Sequence, residues 1–139
     1  MFNNQKERDA IPFTPSIRTM TPEQERDLIG TCLDKEKAED IFCYDLRGKT
    51  PMADFMFICT GRSTTHIKAL SEKIIQKCKG NNFVNVKVEG QSTGDWVIVD
   101  AGDIIIHLFR DEVRQFYELD KLWQECASDW VLQSEHAYA

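Results

Sequence analysis

The strongest hydrophobic pattern in this chain of 139 residues is a pair of β-branched runs, residues 96–100 and 103–109, joined by Ala101 and Gly102. Two such runs separated by a two-residue link predict a β-hairpin with a tight turn. With Ala101 and Gly102 as the turn, the register of the hairpin is set. The predicted cross-strand pairs are Val99 with Ile104, Ile98 with Ile105, Val97 with Ile106, and Trp96 with His107.

The two faces of this hairpin differ in composition because side chains alternate between them. One face is wholly apolar and consists of Val97, Val99, Ile104, Ile106 and Leu108. The other face combines aromatic, aliphatic and ionisable side chains, namely Trp96, Ile98, Asp100, Asp103, Ile105, His107 and Phe109. We expect the first face to belong to the core. The mixture on the second face is more typical of a contact surface than of an interior.

The rest of the chain shows helical and strand patterns in turn. The predicted helices cover residues 21–36, 63–80 and a stretch from 111 onward, and further strands are predicted at 40–46, 54–60 and 84–89. In the last helix, Phe116 and Trp123 are expected to pack in the core. Arg114 and Tyr117 are three residues apart and are expected on an exposed face of that helix. With Trp96, they are of the residue types that are enriched at binding hot spots.

The order of helix, two strands, helix, three strands and helix predicts an α/β domain of mixed α+β type. Its centre would be a mixed five-stranded sheet flanked by helices, because strand–helix–strand crossovers and a hairpin occur together. The length suits a single domain. We expect a flexible lead over residues 1–20, the folded domain over 21–124 and a tail over 125–139.

Composition narrows the classes of partner. The formal net charge is −6 and the pI is about 5.1. Binding to nucleic acid depends largely on Lys and Arg displacing counterions from phosphates, so we expect little direct nucleic-acid binding. An acidic domain is better suited to a basic protein partner.

Cysteine usage and the absence of targeting signals predict a cytoplasmic protein. The five cysteines are widely spaced and form no Cys-x-x-Cys pair, so we expect buried free thiols in a reducing compartment. No apolar run approaches the ~20 residues of a membrane span, and no membrane contact is expected. The first residues lack the apolar core of a secretory signal and contain the acidic residues that transit peptides lack.

Two groups of residues could carry metal or acid–base chemistry. The carboxylates that could hold a divalent metal are Glu89, Asp95, Asp100 and Asp103. Asp100 and Asp103 are more simply explained as residues beside a hairpin turn, where Asp is favoured. His107 could act as a general base near neutral pH, but its predicted neighbour is Trp96 and no nucleophile lies beside it. We expect no catalytic residue, no metal and no cofactor.

The turn Gly61-Arg62-Ser63 leads from a strand into a helix N-terminus, which is a natural site for an anion. It lacks the glycine patterns of nucleotide-binding loops, so ordinary helix capping is the favoured interpretation. An active nucleotidyltransferase is the alternative from another functional class, using this turn with Asp100 and Asp103. Such enzymes place an Asp-x-Asp or Asp-x-Glu pair shortly after the turn, and residues 64–68 contain no carboxylate.

Several ordered motifs resemble the Iojap or ribosomal silencing factor family over residues 22–124. The segments that carry the resemblance are residues 45–50, 53–61, 63–66, 88–90, 95–100, 102–107 and 114–123. They include Asp95-Trp96-Val97-Ile98-Val99-Asp100 and Arg114-Gln115-Phe116-Tyr117-Glu118-Leu119. Their order and mutual spacing make the resemblance more specific than any single motif.

This resemblance implies a fold related to nucleotidyltransferases and binding to the large ribosomal subunit. The family docks on the fourteenth protein of that subunit, at the face where the small subunit joins, and so represses translation. By this analogy the docking residues are Trp96, Asp100, His107, Arg114 and Tyr117. A role in assembling the large subunit would use the same docking site. Whether the protein is a monomer or a homodimer is not set by the sequence.

Overall fold

A computed structural model describes residues 20–117, 121 and 131–133 of the chain. Most of the predicted lead and tail, including Cys126, lies outside these residues, and so does Trp123 of the predicted domain. In chain order the elements are α1 Pro22–Lys35, β1 Glu39–Asp45, β2 Phe55–Gly61, α2 Thr64–Gly80, β3 Lys87–Glu89, β4 Trp96–Asp100, β5 Ile104–Arg110, α3 Asp111–Tyr117 and β6 Val131–Gln133.

The strands form one mixed sheet in the order β3-β4-β5-β2-β1-β6. The β2–β5 pair is parallel and every other neighbouring pair is antiparallel. A mixed sheet with flanking helices is therefore confirmed, and five of its strands are those predicted. The sixth, β6, pairs with β1 and comes from the segment that was predicted to be a tail.

Local sequence signals set where the helices begin. Thr21 caps α1 and forms a capping box with Gln24, and the following Pro22 suits the first helical position. Ser63 caps α2 by accepting a hydrogen bond from the His66 backbone N–H, at 3.0 Å. Both predicted helix starts are confirmed.

The strand predicted at residues 84–89 is shorter than expected and covers only Lys87–Glu89. Asn82 and Asn85 adopt positive φ values of 66° and 57°, in the left-handed region that an extended strand excludes. Asparagine tolerates this conformation better than most residues. The chain therefore enters the sheet only after Asn85.

The predicted hairpin exists, but its register is wrong by two residues. Trp96 pairs with Phe109 and Ile98 pairs with His107. The turn residues are Gly102 and Asp103, since the Ala101 N–H donates to the Ile104 carbonyl at 2.8 Å. Gly102 has a φ of 84°, and such a turn needs glycine at its first central position.

A shift of two residues leaves each side chain on its predicted face because the side-chain period is two. The apolar face is core, as predicted: Val97, Val99, Ile104, Ile106 and Leu108 are all fully buried. They pack with residues of α1 and α2, including Ile29, Leu33, Ile67, Leu70 and Ile74. The helices thus cover this face of the sheet.

The other face of the sheet holds a second apolar cluster, so it is not simply a contact surface. Its buried members are Tyr44, Leu46, Ala53, Met56, Ile58, Ile105 and Phe109. Phe42, Trp96, Ile98 and Val113 are partly buried and pack against them. The burial of Ile105 and Phe109 corrects the expectation that this whole hairpin face is a surface.

The cysteines within the described ranges are free and buried, as predicted: Cys32, Cys43, Cys59 and Cys78. Burial raises the pKa of the Cys59 thiol to about 12. None of the helices in these ranges has both the length and the apolar character required to cross a membrane.

The loop that precedes β4 provides a test of the fold. Gly90 has a φ of 89°, and a β-carbon at this position would collide with the Trp96 carbonyl oxygen. We expect Gly90→Ala to lower the free energy of unfolding by at least about 3 kcal/mol, because it adds overpacking to backbone strain. Urea denaturation measures the change.

Gly48→Ala is the matched control. Gly48 has a similar φ of 78° with no atom within 4 Å of its β-carbon position. This substitution should cost only the backbone term, about 1 kcal/mol. Equal losses for both variants would contradict the role assigned to the close approach between Gly90 and β4.

Candidate docking surface

Three of the five residues that the resemblance assigns to docking, namely Trp96, Asp100 and His107, lie on the second face of the sheet, at the hairpin. Trp96, Ile98 and Asp100 follow one another along this face of β4, and each is partly buried. By register, Lys87 lies opposite Asp100, and Glu89 lies opposite Ile98. The face therefore changes from a buried cluster at β5 to exposed charges at the edge strand β3.

A hydrogen bond holds the Trp96 indole in place. Its Nε1–H donates to His107 Nδ1 at 3.1 Å. The two rings are diagonal neighbours across the β4–β5 pair, with centroids 6.0 Å apart. The prediction that they stand side by side is thus correct even though the pairing behind it is wrong.

Phe109 completes this aromatic group. Its ring centroid lies 5.0 Å from that of Trp96 and 5.8 Å from that of His107, and it stacks on the imidazole with an interplanar angle of 7°. Because Phe109 is fully buried, the group is anchored in the second cluster. The indole is therefore held on a rigid base and is exposed only in part, which is the arrangement of an interface anchor.

His107 is a buried, neutral side chain. It is 8% exposed, and burial lowers its pKa from the ordinary 6.5 to about 4. Since Nδ1 accepts the hydrogen bond from Trp96, the single proton of the neutral ring is on Nε2. The histidine orients the tryptophan and offers little surface to a partner.

Arg114 is also buried, which corrects the expectation that it lies on an exposed helix face. Its side chain is 5% exposed and donates to Thr60 Oγ1 and to the Asp40 carbonyl oxygen, each at 2.8 Å. The guanidinium also lies 5.3 Å from the centre of the Phe42 ring. Arg114 fastens α3 to β1 and β2, so a substitution here would test the fold rather than docking.

Phe116 differs from its prediction in the opposite direction to Arg114. It was predicted to lie in the core, and its side chain is 79% exposed. The inward side of α3 is occupied by Val113, which packs on the second cluster, and by Arg114. Tyr117 is the last described residue of α3, and its side chain lies outside the described atoms. The spacing of Val113 and Phe116 suggested one apolar stripe, and nothing in the sequence showed that an arginine would take the buried position.

Asp100 and Asp103 have the turn roles that the sequence favoured. Asp100 Oδ1 accepts a hydrogen bond from the Gly102 N–H at 3.0 Å. The Asp103 carbonyl oxygen accepts from Asp54 N–H and Phe55 N–H, at 2.7 and 3.2 Å. This carbonyl therefore ties the hairpin turn to the start of β2.

The parts of a nucleotidyltransferase site are not brought together. Gly61 is at the end of β2, whereas Asp103 lies beside its start. Six residues of extended chain separate these points by roughly 20 Å. Asp95 forms an ion pair with Arg110 at 2.7 Å, and the described ranges contain no group of three or more His, Cys, Asp or Glu residues that could hold a metal ion.

Comparison with known proteins shows which family the sequence resembles. Residues 19–138 match the family model described as ribosomal silencing factor during starvation. The match extends past the region of motif resemblance at both ends, and it includes β6.

Individual relatives show the same likeness. The ribosomal silencing factor RsfS of Zymomonas mobilis is 43% identical over 102 residues, covering 73% of this chain and 77% of the relative. The mouse protein named mitochondrial assembly of ribosomal large subunit protein 1 is 34% identical over 102 residues, covering 70% of this chain but 44% of the relative. A crystal structure of a protein from Chromobacterium violaceum superposes with a TM-score of 0.71 at 31% identity, covering 75% of this chain and 87% of that one.

The burial of His107 predicts a pH-dependent stability. Its pKa is lower in the folded state than in the unfolded state, so stability is full above pH 6.5 and falls as the pH approaches about 4. Between pH 7.5 and pH 5, this residue alone should lower the free energy of unfolding by about 2 kcal/mol. Urea denaturation at the two pH values measures the loss.

His107→Gln is the control for this effect. The glutamine keeps a neutral acceptor for the Trp96 indole but cannot take up a proton. Carboxylates common to both proteins contribute equally, so the variant should lose about 2 kcal/mol less than the wild type over the same pH interval. Identical losses would show that His107 is not the group responsible.

Proposed function

Because the chain belongs to the ribosomal silencing factor family, we propose that it binds the large ribosomal subunit through that subunit's fourteenth protein and sterically blocks joining of the small subunit. The observation that carries this proposal is the partly exposed Trp96, held by His107 and Phe109 and followed along β4 by Ile98 and Asp100. This action represses translation and belongs in the cytoplasm.

The chemistry of the surface supports a protein partner. An aromatic anchor that is already fixed loses little conformational entropy on binding. Asp100, at the other end of the same face of β4, adds a negative charge, which suits a basic partner, as does the net charge of −6. Trp96 and Asp100 are the residues we expect to touch the partner, and Tyr117 would extend the contact from α3.

The other two proposed docking residues act indirectly. His107 orients the indole through the hydrogen bond at 3.1 Å. Arg114 holds α3 against the sheet through its two hydrogen bonds at 2.8 Å. We propose that both are positioning residues of the docking surface.

Steric blocking needs no catalysis. An interface of about 800 Å² on each partner is enough for specific binding, provided that it lies where the small subunit must approach. We therefore propose that the protein is not an enzyme. A titration that detected Mg²⁺-dependent nucleotide binding would favour the nucleotidyltransferase alternative.

A role in large-subunit assembly is a second candidate, favoured by the name of the mouse relative, which refers to assembly of the mitochondrial large subunit. The two roles share a docking surface and differ in timing. A silencing factor binds mature subunits, whereas a factor that acts only in assembly binds precursors. Sedimentation with purified mature and precursor subunits separates these roles.

We expect the purified protein to pellet with large subunits at micromolar concentration and to lower the yield of joined ribosomes. Asp100→Lys should weaken pelleting by about tenfold, because it reverses a charge on the same face of β4 as the anchor. Asp100→Asn should have a smaller effect, since it keeps an oxygen that can accept the hydrogen bond from the Gly102 N–H. Circular dichroism should show an unchanged fold for both variants.

Asp34→Lys is the matched control because it makes the same change in net charge at an exposed position on α1, behind the opposite face of the sheet. It should pellet like the wild type. Equal weakening by Asp100→Lys and Asp34→Lys would assign the effect to overall charge and contradict the proposed surface. A wild-type protein that stays in the supernatant would overturn the proposed function itself.

A further inference from the structure

The outer side of the α1–α2 layer contains a groove that the docking surface does not use. Two adjoining cavities, of about 380 and 440 Å³, lie there and share Cys32 and Lys77 in their linings. Lys73 lines the first cavity and Lys35 lines the second. Three lysines from two helices therefore surround one groove.

The convergence of these lysines is visible at the Cys32 thiol. Burial raises its pKa, and Glu36 adds to that rise, while Lys77, Lys73 and Lys35 all oppose it. Each of the three lysines lines a cavity that Cys32 also lines.

The charge of α2 differs in sign from the charge of the rest of the chain. The helix contains four lysines and one glutamate, which gives it a formal charge of +3, so the remaining residues together carry −9. Lys77 and Lys79 in its last turn also suit the negative end of the helix dipole. Lys68 and Lys73 lie earlier in the helix and have no such explanation.

These lysines are available to a ligand. Within the ranges that the structure describes, neither Lys35 nor any lysine of α2 forms an ion pair with a carboxylate. Lys73 and Lys77 are exposed and are four residues apart, about 6 Å along the helix axis. They present two positive charges in one direction.

The other lining residues indicate what kind of anion fits. Gln24 and Gln76 supply amide hydrogen-bond donors, the Asn81 amide already donates to the Lys77 carbonyl oxygen at 2.8 Å, and Asp27 and Glu36 are the two carboxylates. Among the residues that the structure describes, no aromatic side chain lines either cavity, so these residues offer no platform on which a base could stack. Lysines and amides without aromatic residues are typical of contacts to a nucleic-acid backbone.

We propose that the α1–α2 groove, through Lys35, Lys73 and Lys77, binds the phosphodiester backbone of RNA without sequence preference. The net charge of −6 led to an expectation of little nucleic-acid binding, but the fold concentrates positive charge at this one place. The groove lies behind the sheet face opposite Trp96, so the two surfaces can be occupied together. Binding to free RNA tests the groove independently of ribosomal docking.

The test is fluorescence anisotropy with a labelled single-stranded RNA of mixed sequence, about 20 nucleotides long, between about 50 and 200 mM salt. The wild type should bind, and its affinity should fall steeply with salt. The double variant Lys73→Gln with Lys77→Gln should bind at least about tenfold more weakly at the lowest salt. Its slope of log affinity against log salt should be shallower by about 1.4, or 0.7 for each lost phosphate contact.

The matched control is Arg62→Gln with Lys87→Gln, which removes the same charge from two exposed positions outside the groove. It should bind RNA within about twofold of the wild type. Equal weakening of both double variants, or no wild-type binding at about 100 µM protein and the lowest salt, would overturn the proposal. Tighter binding of poly-glutamate than of RNA, lost with Lys73 and Lys77, would show that the groove serves an acidic protein instead.

Discussion

The parallel pairing of β2 with β5 is the constraint on which the rest of the structure depends. Every residue of β2 is buried, and Phe55 to Gly61 pair in register with Ile104 to Arg110. Parallel neighbours cannot be joined by a tight turn, so the chain must cross over between them, and it does so through α2 followed by β3 and β4. That crossover packs α2 with α1 on one face of the sheet. The opposite face of the sheet holds the second apolar cluster. The residues that we assign to docking lie at the margin of that cluster.

The same pairing explains why an aromatic anchor can be held firmly on a strand near the edge of the sheet. β5 is fixed by β2 on one side and supports β4 on the other. His107 and Phe109 therefore transmit the rigidity of the centre to Trp96 through a hydrogen bond and a ring contact. The hairpin turn is also linked to β2, since the Asp103 carbonyl oxygen accepts hydrogen bonds from the Asp54 and Phe55 N–H groups.

Alternation and capping made most of the fold predictable, and the limits of the prediction have clear physical causes. Each hairpin side chain was assigned to the correct face of the sheet, because a shift of two residues does not change the face. The cross-strand pairs were wrong because they depend on whether Ala101-Gly102 or Gly102-Asp103 forms the turn. Arg114 and Phe116 exchanged their expected places, since Arg114 is buried and Phe116 is exposed. The bonds of Arg114 to Asp40 and Thr60 join distant parts of the chain and leave no local pattern. The pairing of β6 with β1 is equally non-local.

The buried free cysteines allow separation of the strands to be measured by thiol labelling. Cys59 sits in β2 with no exposed surface, and its thiol has a pKa of about 12, so almost none of it is thiolate at neutral pH. A thiol reagent reacts with thiolate, and here it must wait until the central strand separates from its neighbours. The labelling rate of Cys59 therefore measures how often β2 separates from its neighbours, including β5. Modification of Cys32, at the α1–α2 groove, would instead register movement of the helical layer.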